Sequence, residues 1–155
     1  MTTLNFDHTI DIAVPPQELY AVFTDPHQNL KLAPLLVEVR DITHTTNAEG
    51  QTVILYDSVE LFRFLGFIKY HNVIHVTATL VEPDRRFVNE VKSPANVQVR
   101  FENTLTPIHE GTATRLDEHV TLSCPSFLRG FVYQNARSSQ LTRFERLKAM
   151  LENKT

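Results

Sequence analysis

From residue 35 to residue 123 the chain is a near-continuous series of extended segments cut by short turn signals, and it then ends on one long helix-forming run. Strands are expected near 35–43, 51–64, 67–81, 86–93, 96–107 and 112–123. The cuts are Asn47-Ala-Glu-Gly50, Leu65-Gly66, Glu82-Pro83-Asp84, Ser93-Pro94-Ala95 and His109-Glu110-Gly111, all rich in residues that favour turns. Before this series stands one more strand, 4–14, with Leu4, Phe6, Ile10, Ile12 and Val14 alternating against polar partners. Pro15-Pro16 ends it. A helix over 16–24 follows, broken at Asp25-Pro26, and then a second short helix over about 26–33. Strands grouped together and helices set apart predict an α+β fold: a curved antiparallel sheet of about seven strands, two short helices after the first strand, and a C-terminal helix over about 126–152 packed across the concave face. That helix carries Phe127, Phe131, Leu141, Phe144, Leu147 and Leu151 as its apolar stripe.

A chain of 155 residues is one domain in size, so 1–155 is read as a single domain able to bury a core without disulfides or metals. Its net charge is −3 and no basic stripe is visible, which argues against nucleic acid as a partner. No segment approaches the run of ~18 apolar residues needed for stable membrane insertion. The first residues lack the basic and apolar regions of a signal peptide. With a single cysteine, Cys124, there is no disulfide framework, and the expected location is the cytoplasm.

Hairpin arithmetic gives a first register. A two-residue turn at Leu65-Gly66 pairs Leu61 with Tyr70, Val59 with Asn72, Asp57 with Ile74 and Leu55 with Val76, all on one face. A four-residue loop at 108–111 pairs Leu105 with Thr114 and Phe101 with Glu118. A turn at Glu82–Arg85 faces Ala78 with Asn89. The three turns converge on one mostly apolar concave face. Its expected lining is Leu55, Asp57, Val59, Leu61, Tyr70, Asn72, Ile74, Phe87, Asn89, Val99, Phe101, Asn103, Leu116 and Glu118, faced by Phe131, Gln134, Arg137 and Leu141 of the last helix. The middle of that helix, Tyr133-Gln-Asn-Ala-Arg-Ser-Ser-Gln140, is polar all round, as suits a helix crossing a cavity rather than a dry core. Apolar walls with a few convergent polar groups describe a small-molecule pocket. Two charges in one cavity must pair or reach water, so a Glu118–Arg137 pair is expected.

Familiar catalytic and metal motifs are missing. His71 and His75 share a strand face but stand about 13 Å apart, too far for one metal, and the register turns both outward. His8 is the only histidine expected to face inward. Cys124 has no basic neighbour to lower its pKa. No glycine-rich phosphate loop or nucleophile elbow is present, so neither a metal nor a cofactor is implied. The hairpin tip Phe62–Phe67 is unusually apolar. It would fold over the cavity mouth or the helix end, form a dimer contact, or touch a membrane.

Three stretches carry a family resemblance. Ile10-Asp-Ile-Ala-Val-Pro-Pro-Gln-Glu-Leu-Tyr-Ala-Val-Phe-Thr-Asp-Pro26 resembles the opening strand and helix of the START/Bet v1-like (SRPBCC) superfamily, with its polyketide cyclase/dehydrase-like bacterial members. Glu82-Pro-Asp-Arg-Arg-Phe87 resembles that superfamily's turn. Thr114-Arg-Leu116 through Pro125-Ser-Phe-Leu, with Phe144-Glu-Arg-Leu-Lys-Ala-Met-Leu-Glu152, resembles its last strand and helix. The resemblance implies a helix-grip fold with a deep cavity between sheet and last helix. It implies lipids, polyketides, quinones or similar molecules as ligands. Leu30, Leu32 and Leu35 fill a region where relatives often carry tryptophan, and no catalytic residue carries over. Three functions follow: carriage of a hydrophobic small molecule by a monomer or homodimer; an aromatase/cyclase-like enzyme using Tyr70, Asp57, Glu118 or Arg137; or an interaction module of the quinone-chaperone or ribosome-associated type.

Overall fold

The computed structural model describes residues 1–64 and 66–153, the side chain of Phe64 excepted, so Leu65 of the expected Leu65-Gly66 turn lies outside the described residues. Seven strands form one antiparallel sheet: β1 (Thr2–Ile12), β2 (Leu36–Thr46), β3 (Thr52–Phe64), β4 (Ile68–Glu82), β5 (Arg86–Ser93), β6 (Val97–Ile108) and β7 (Ala113–Cys124). The spatial order is β1-β7-β6-β5-β4-β3-β2, which puts the first two strands on opposite edges. Between them run α1 (Pro16–Phe23), a single 3₁₀ turn at Pro26–Gln28, and α2 (Asn29–Leu32). Pro16 occupies the first turn of α1, where its missing N–H leaves nothing unsatisfied. The Asp25 carboxylate accepts from the His27 backbone N–H at 3.0 Å and opens the 3₁₀ turn. α2 stops at Ala33, which adopts extended geometry ahead of Pro34. The long helix α3 (Arg129–Glu152) then lies across the concave face. This is the helix-grip α+β arrangement.

Irregular pairing bends the sheet. β2 slips against β3 between Leu36 and Glu38 and again between Arg40 and Thr43, where Asp41 takes a left-handed φ of 56°. β4 slips against β5 between Thr79 and Glu82. Such bulges increase local twist and curl a strand around what it packs on.

The dry core sits at one end of the grip. Leu19, Phe23 and Leu32 from the short helices meet Phe87, Leu105 and Leu116 from the sheet and Phe144, Leu147 and Leu151 from α3. Phe23 packs edge-on against Phe87 at 5.3 Å and against Phe144 at 6.2 Å. A smaller cluster of Ile54, Tyr56, Val76 and Ala78 continues it across β3 and β4.

The register corrects the arithmetic at one hairpin. Phe64 pairs with Ile68, which leaves an odd number of positions between the strands rather than two, and Gly66 takes a φ of +77°. That odd spacing reverses the faces of β3 relative to β4. Tyr56 stands opposite Val76, Ser58 opposite Ile74, Glu60 opposite Asn72 and Phe62 opposite Tyr70. The inward residues of β3 are therefore Ile54, Tyr56, Ser58, Glu60 and Phe62. Leu55, Asp57, Val59 and Leu61 lie on the outer face. At β6–β7 the pairing runs to Ile108 opposite Ala113, so Leu105 faces Leu116 and Phe101 faces Val120. That is a two-residue change, which leaves every side chain on its expected face. Ala78 opposite Asn89 is as expected.

Candidate ligand-binding site

The concave face divides along the axis of α3. At the C-terminal end Gln140, Phe144, Leu147 and Leu151 form the buried stripe, spaced four, three and four residues apart. Toward the N-terminal end the apolar side chains lie open: Phe127, just ahead of α3, is 86% exposed and Phe131 52%, while Tyr133 packs edge-on against Phe6 of β1 at 5.4 Å. The expected stripe thus fails in its first half, and Leu141 is also exposed. Gln134 is exposed too. Between this half-helix, the start of β2 and the end of β3 lies a pocket of about 560 Å³, lined by Pro34, Leu35, Val37, Leu61, Phe62, Arg63, Phe131 and Asn135. Phe62 and Phe131 approach to 6.2 Å across it. A second pocket, about 240 Å³, sits mainly on the outer face of β1, β7 and β6 and is lined largely by charged and polar groups such as Asp7, Arg86, Asp117 and His119.

Deeper in, the junction of α3 with β6 and β7 holds a polar network. Glu118 is 1% exposed. Its Oε1 accepts from Arg143 at 2.9 Å and from the Gln140 amide at 3.2 Å. The direct Glu118–Arg137 pair expected from sequence does not form. Arg137 donates instead to Gln140 Oε1 and to the Asp7 carbonyl, so Gln140 links the two. The reason is reach along the helix: Arg143 follows Gln140 by one turn on the face that meets β7. Arg143 is itself sandwiched by aromatic rings, 5.1 Å from the centroid of Phe101 and 6.0 Å from that of Phe23. Glu118 Oε2 and both amide atoms of Asn103, which is 2% exposed, are buried with no hydrogen-bond partner. Asn103 stands opposite Glu118 in the register.

A second polar group links β3, β4 and β5. The Asn72 amide donates to Glu60 at 3.3 Å and to Ser93 at 3.1 Å. Burial pushes the Glu60 carboxyl above the usual carboxylate range, and the Asn72 hydrogen bond only partly offsets it. The Tyr56 hydroxyl accepts from Asn29 at 3.0 Å, and burial raises its pKa to about 12.

The other expected lining residues fall as follows. Asn72, Ile74, Asn89, Val99 and Phe101 face inward and are half-buried, and Tyr70 sits on the same face near the tip, half-exposed. Phe87 and Leu116 belong to the dry core. On the outer face Asp57 pairs with His75 at 2.6 Å, and Leu55 is 39% exposed. His8 packs on Phe144 at 5.4 Å. Sequence reasoning missed Tyr56, Glu60, Gln140 and Arg143. The first two were lost with the register. Gln140 was detectable, since it continues the Phe144–Leu147–Leu151 spacing one turn upstream.

Residues 3–152 match the family described as polyketide cyclase/dehydrase and lipid transport. The chain belongs to that family. Membership places it in the START/Bet v1-like superfamily, whose helix-grip fold is the one described above. Solved structures of similar fold include the Zhui aromatase/cyclase from Streptomyces sp. R1128, 14% identical with a TM-score of 0.73, over 97% of this chain and 94% of that one. A conserved protein from Geobacillus kaustophilus is 15% identical with a TM-score of 0.74, over 96% and 95%. A START superfamily protein from Mycobacterium smegmatis is 12% identical with a TM-score of 0.65, over 97% and 99%. None of the curated proteins matches the chain. At these identities the structural likeness is one of fold.

Proposed function

We propose that this protein, acting as a single domain, holds a hydrophobic small molecule with one polar end. The molecule enters between α3 and the ends of β2 and β3, and its polar end reaches toward Asn103 and Glu118. One observation carries the reading: Asn103 keeps a buried donor and a buried acceptor unpaired beside a buried carboxylate oxygen, while the first half of α3 leaves Phe131 half-exposed at the pocket. Each unpaired buried group costs about 1–3 kcal/mol, and a hydroxyl or carbonyl on a bound molecule would remove that cost. The pocket volume of about 560 Å³ lies within the range of small-molecule sites. The buried single thiol Cys124 is in keeping with a reducing cytoplasm.

Native mass spectrometry of freshly purified protein tests this. The expected result is a retained apolar ligand, with lower occupancy in Asn103→Leu, which removes the polar pair without removing volume. Empty wild-type protein that also fails to bind a panel of fatty acids, quinones and aromatic polyketides would count against carriage.

A second reading, catalysis on the held molecule, is favoured by one feature. Glu60, whose carboxyl burial pushes above the usual carboxylate range, and Tyr56, raised to about 12 and so protonated at neutral pH, both face inward. Turnover of a linear poly-β-ketone surrogate that falls in Glu60→Gln would support it; binding of the surrogate without turnover would leave carriage alone.

A further inference from the structure

Three segments border the pocket: 28–37, 61–71 and 125–137. None contains an aspartate or glutamate, although the chain carries 18 acidic residues against 15 Lys and Arg. They do contain Lys31, Arg63, Lys69 and Arg129, all exposed. Among the described residues none of these four stands in an ion pair, as is also true of Arg85, Arg86, Lys92, Arg137 and Arg146; what sets the four apart is that no carboxylate shares their segments. The same border carries large exposed apolar side chains: Phe67 is 76% exposed, Phe127 86%, Phe131 52% and Ile68 46%. Most of the protein's exposed bulky apolar groups are gathered here. Phe62 against Phe131 ties the hairpin tip to the start of α3, so these groups form one rim.

A rim of aromatic and aliphatic groups interleaved with unpaired cations and free of carboxylates is a poor match for water and for most acidic-and-basic protein surfaces. It matches the headgroup layer of a bilayer, where apolar groups enter the acyl boundary and cations meet lipid phosphates. We propose that this rim seats the protein on an anionic lipid surface with the pocket mouth facing the bilayer. The attachment is peripheral: no helix among the described residues is long and apolar enough to cross a membrane. A ligand could then pass between bilayer and pocket without crossing water. The rim's cations also give a protein of net charge −3 a local attraction to a surface that would otherwise repel it.

Vesicle flotation tests the proposal, using phosphatidylcholine alone and phosphatidylcholine with phosphatidylglycerol, at low and high salt. Binding is expected only with the anionic lipid and is expected to weaken with salt. Lys69→Ala and Arg129→Ala should each lower the partition coefficient about fivefold. Phe67→Ala and Phe127→Ala should weaken binding without flattening its salt dependence. Arg146→Ala, about 25 Å along α3 from Arg129, should leave binding unchanged. Far-UV circular dichroism checks that each variant folds. No binding to anionic vesicles, equal binding to both vesicle types, or equal losses in Arg146→Ala and Lys69→Ala would overturn the proposal. So would self-association in sedimentation velocity that Phe67→Ala abolishes in a protein that ignores vesicles, since that assigns the rim to a second copy.

Discussion

Glu60 is the residue on which pH acts most directly. In the unfolded chain its carboxyl ionises at the ordinary value; in the fold burial holds that value higher. Below both values the group is protonated in either state and contributes no difference. As pH rises through the interval, the unfolded chain ionises more readily, and stability is withdrawn. Glu60→Gln keeps an acceptor for Asn72 and removes the charge. It should be neutral in acid and stabilising at neutral pH and above, as read from urea-denaturation midpoints of both proteins across a pH series. Glu118 is more deeply buried and differs in kind, because Arg143 and Gln140 bond to it. Glu118→Ala would leave Arg143 without its counter-charge and should cost about 3 kcal/mol, measurable by the same melts.

Among the elements, β3 is where the sequence is least decisive. Its run Val53-Ile-Leu-Tyr-Asp-Ser-Val-Glu-Leu-Phe62 is apolar on both faces, so patterning could not choose which face turns in. Val59 is 4% exposed even though it lies on the outer face. The decision then fell to turn length, and a dipeptide containing glycine reads as two residues when the pairing leaves an odd number. β1, β6 and β7 alternate cleanly, and their faces were legible, along with the order of elements and the long helix. The Glu118–Arg143 contact was not, because it depends on how far α3 is rotated about its axis. Lysine substitution separates the two registers. Ile54→Lys should cost about 3 kcal/mol or more, because it places a charge in the core, whereas Leu55→Lys should stay within about 0.5 kcal/mol. The reverse order in thermal melts would restore the two-residue turn.

At the scale of the whole molecule, stability is uneven along α3. Its last turns are locked by Phe144, Leu147 and Leu151, and its first turns have few buried partners. Hydrogen–deuterium exchange should therefore be faster over Arg129–Arg137 than over Gln140–Leu151, and a bound ligand should slow the first segment selectively. Strand order has a consequence of another sort. β1 pairs along its whole length with β7, Thr2 opposite Cys124 and Ile12 opposite Thr114. Of the seven strands β1 is made first, yet its partner among the described residues is β7, the last of the seven to be made. The meander β2 to β6 can pair as it appears, each strand beside the one before it, while β1 waits with an open edge until β7 has been synthesised. Closing the sheet therefore rests on its pairing of longest sequence separation, β1 with β7.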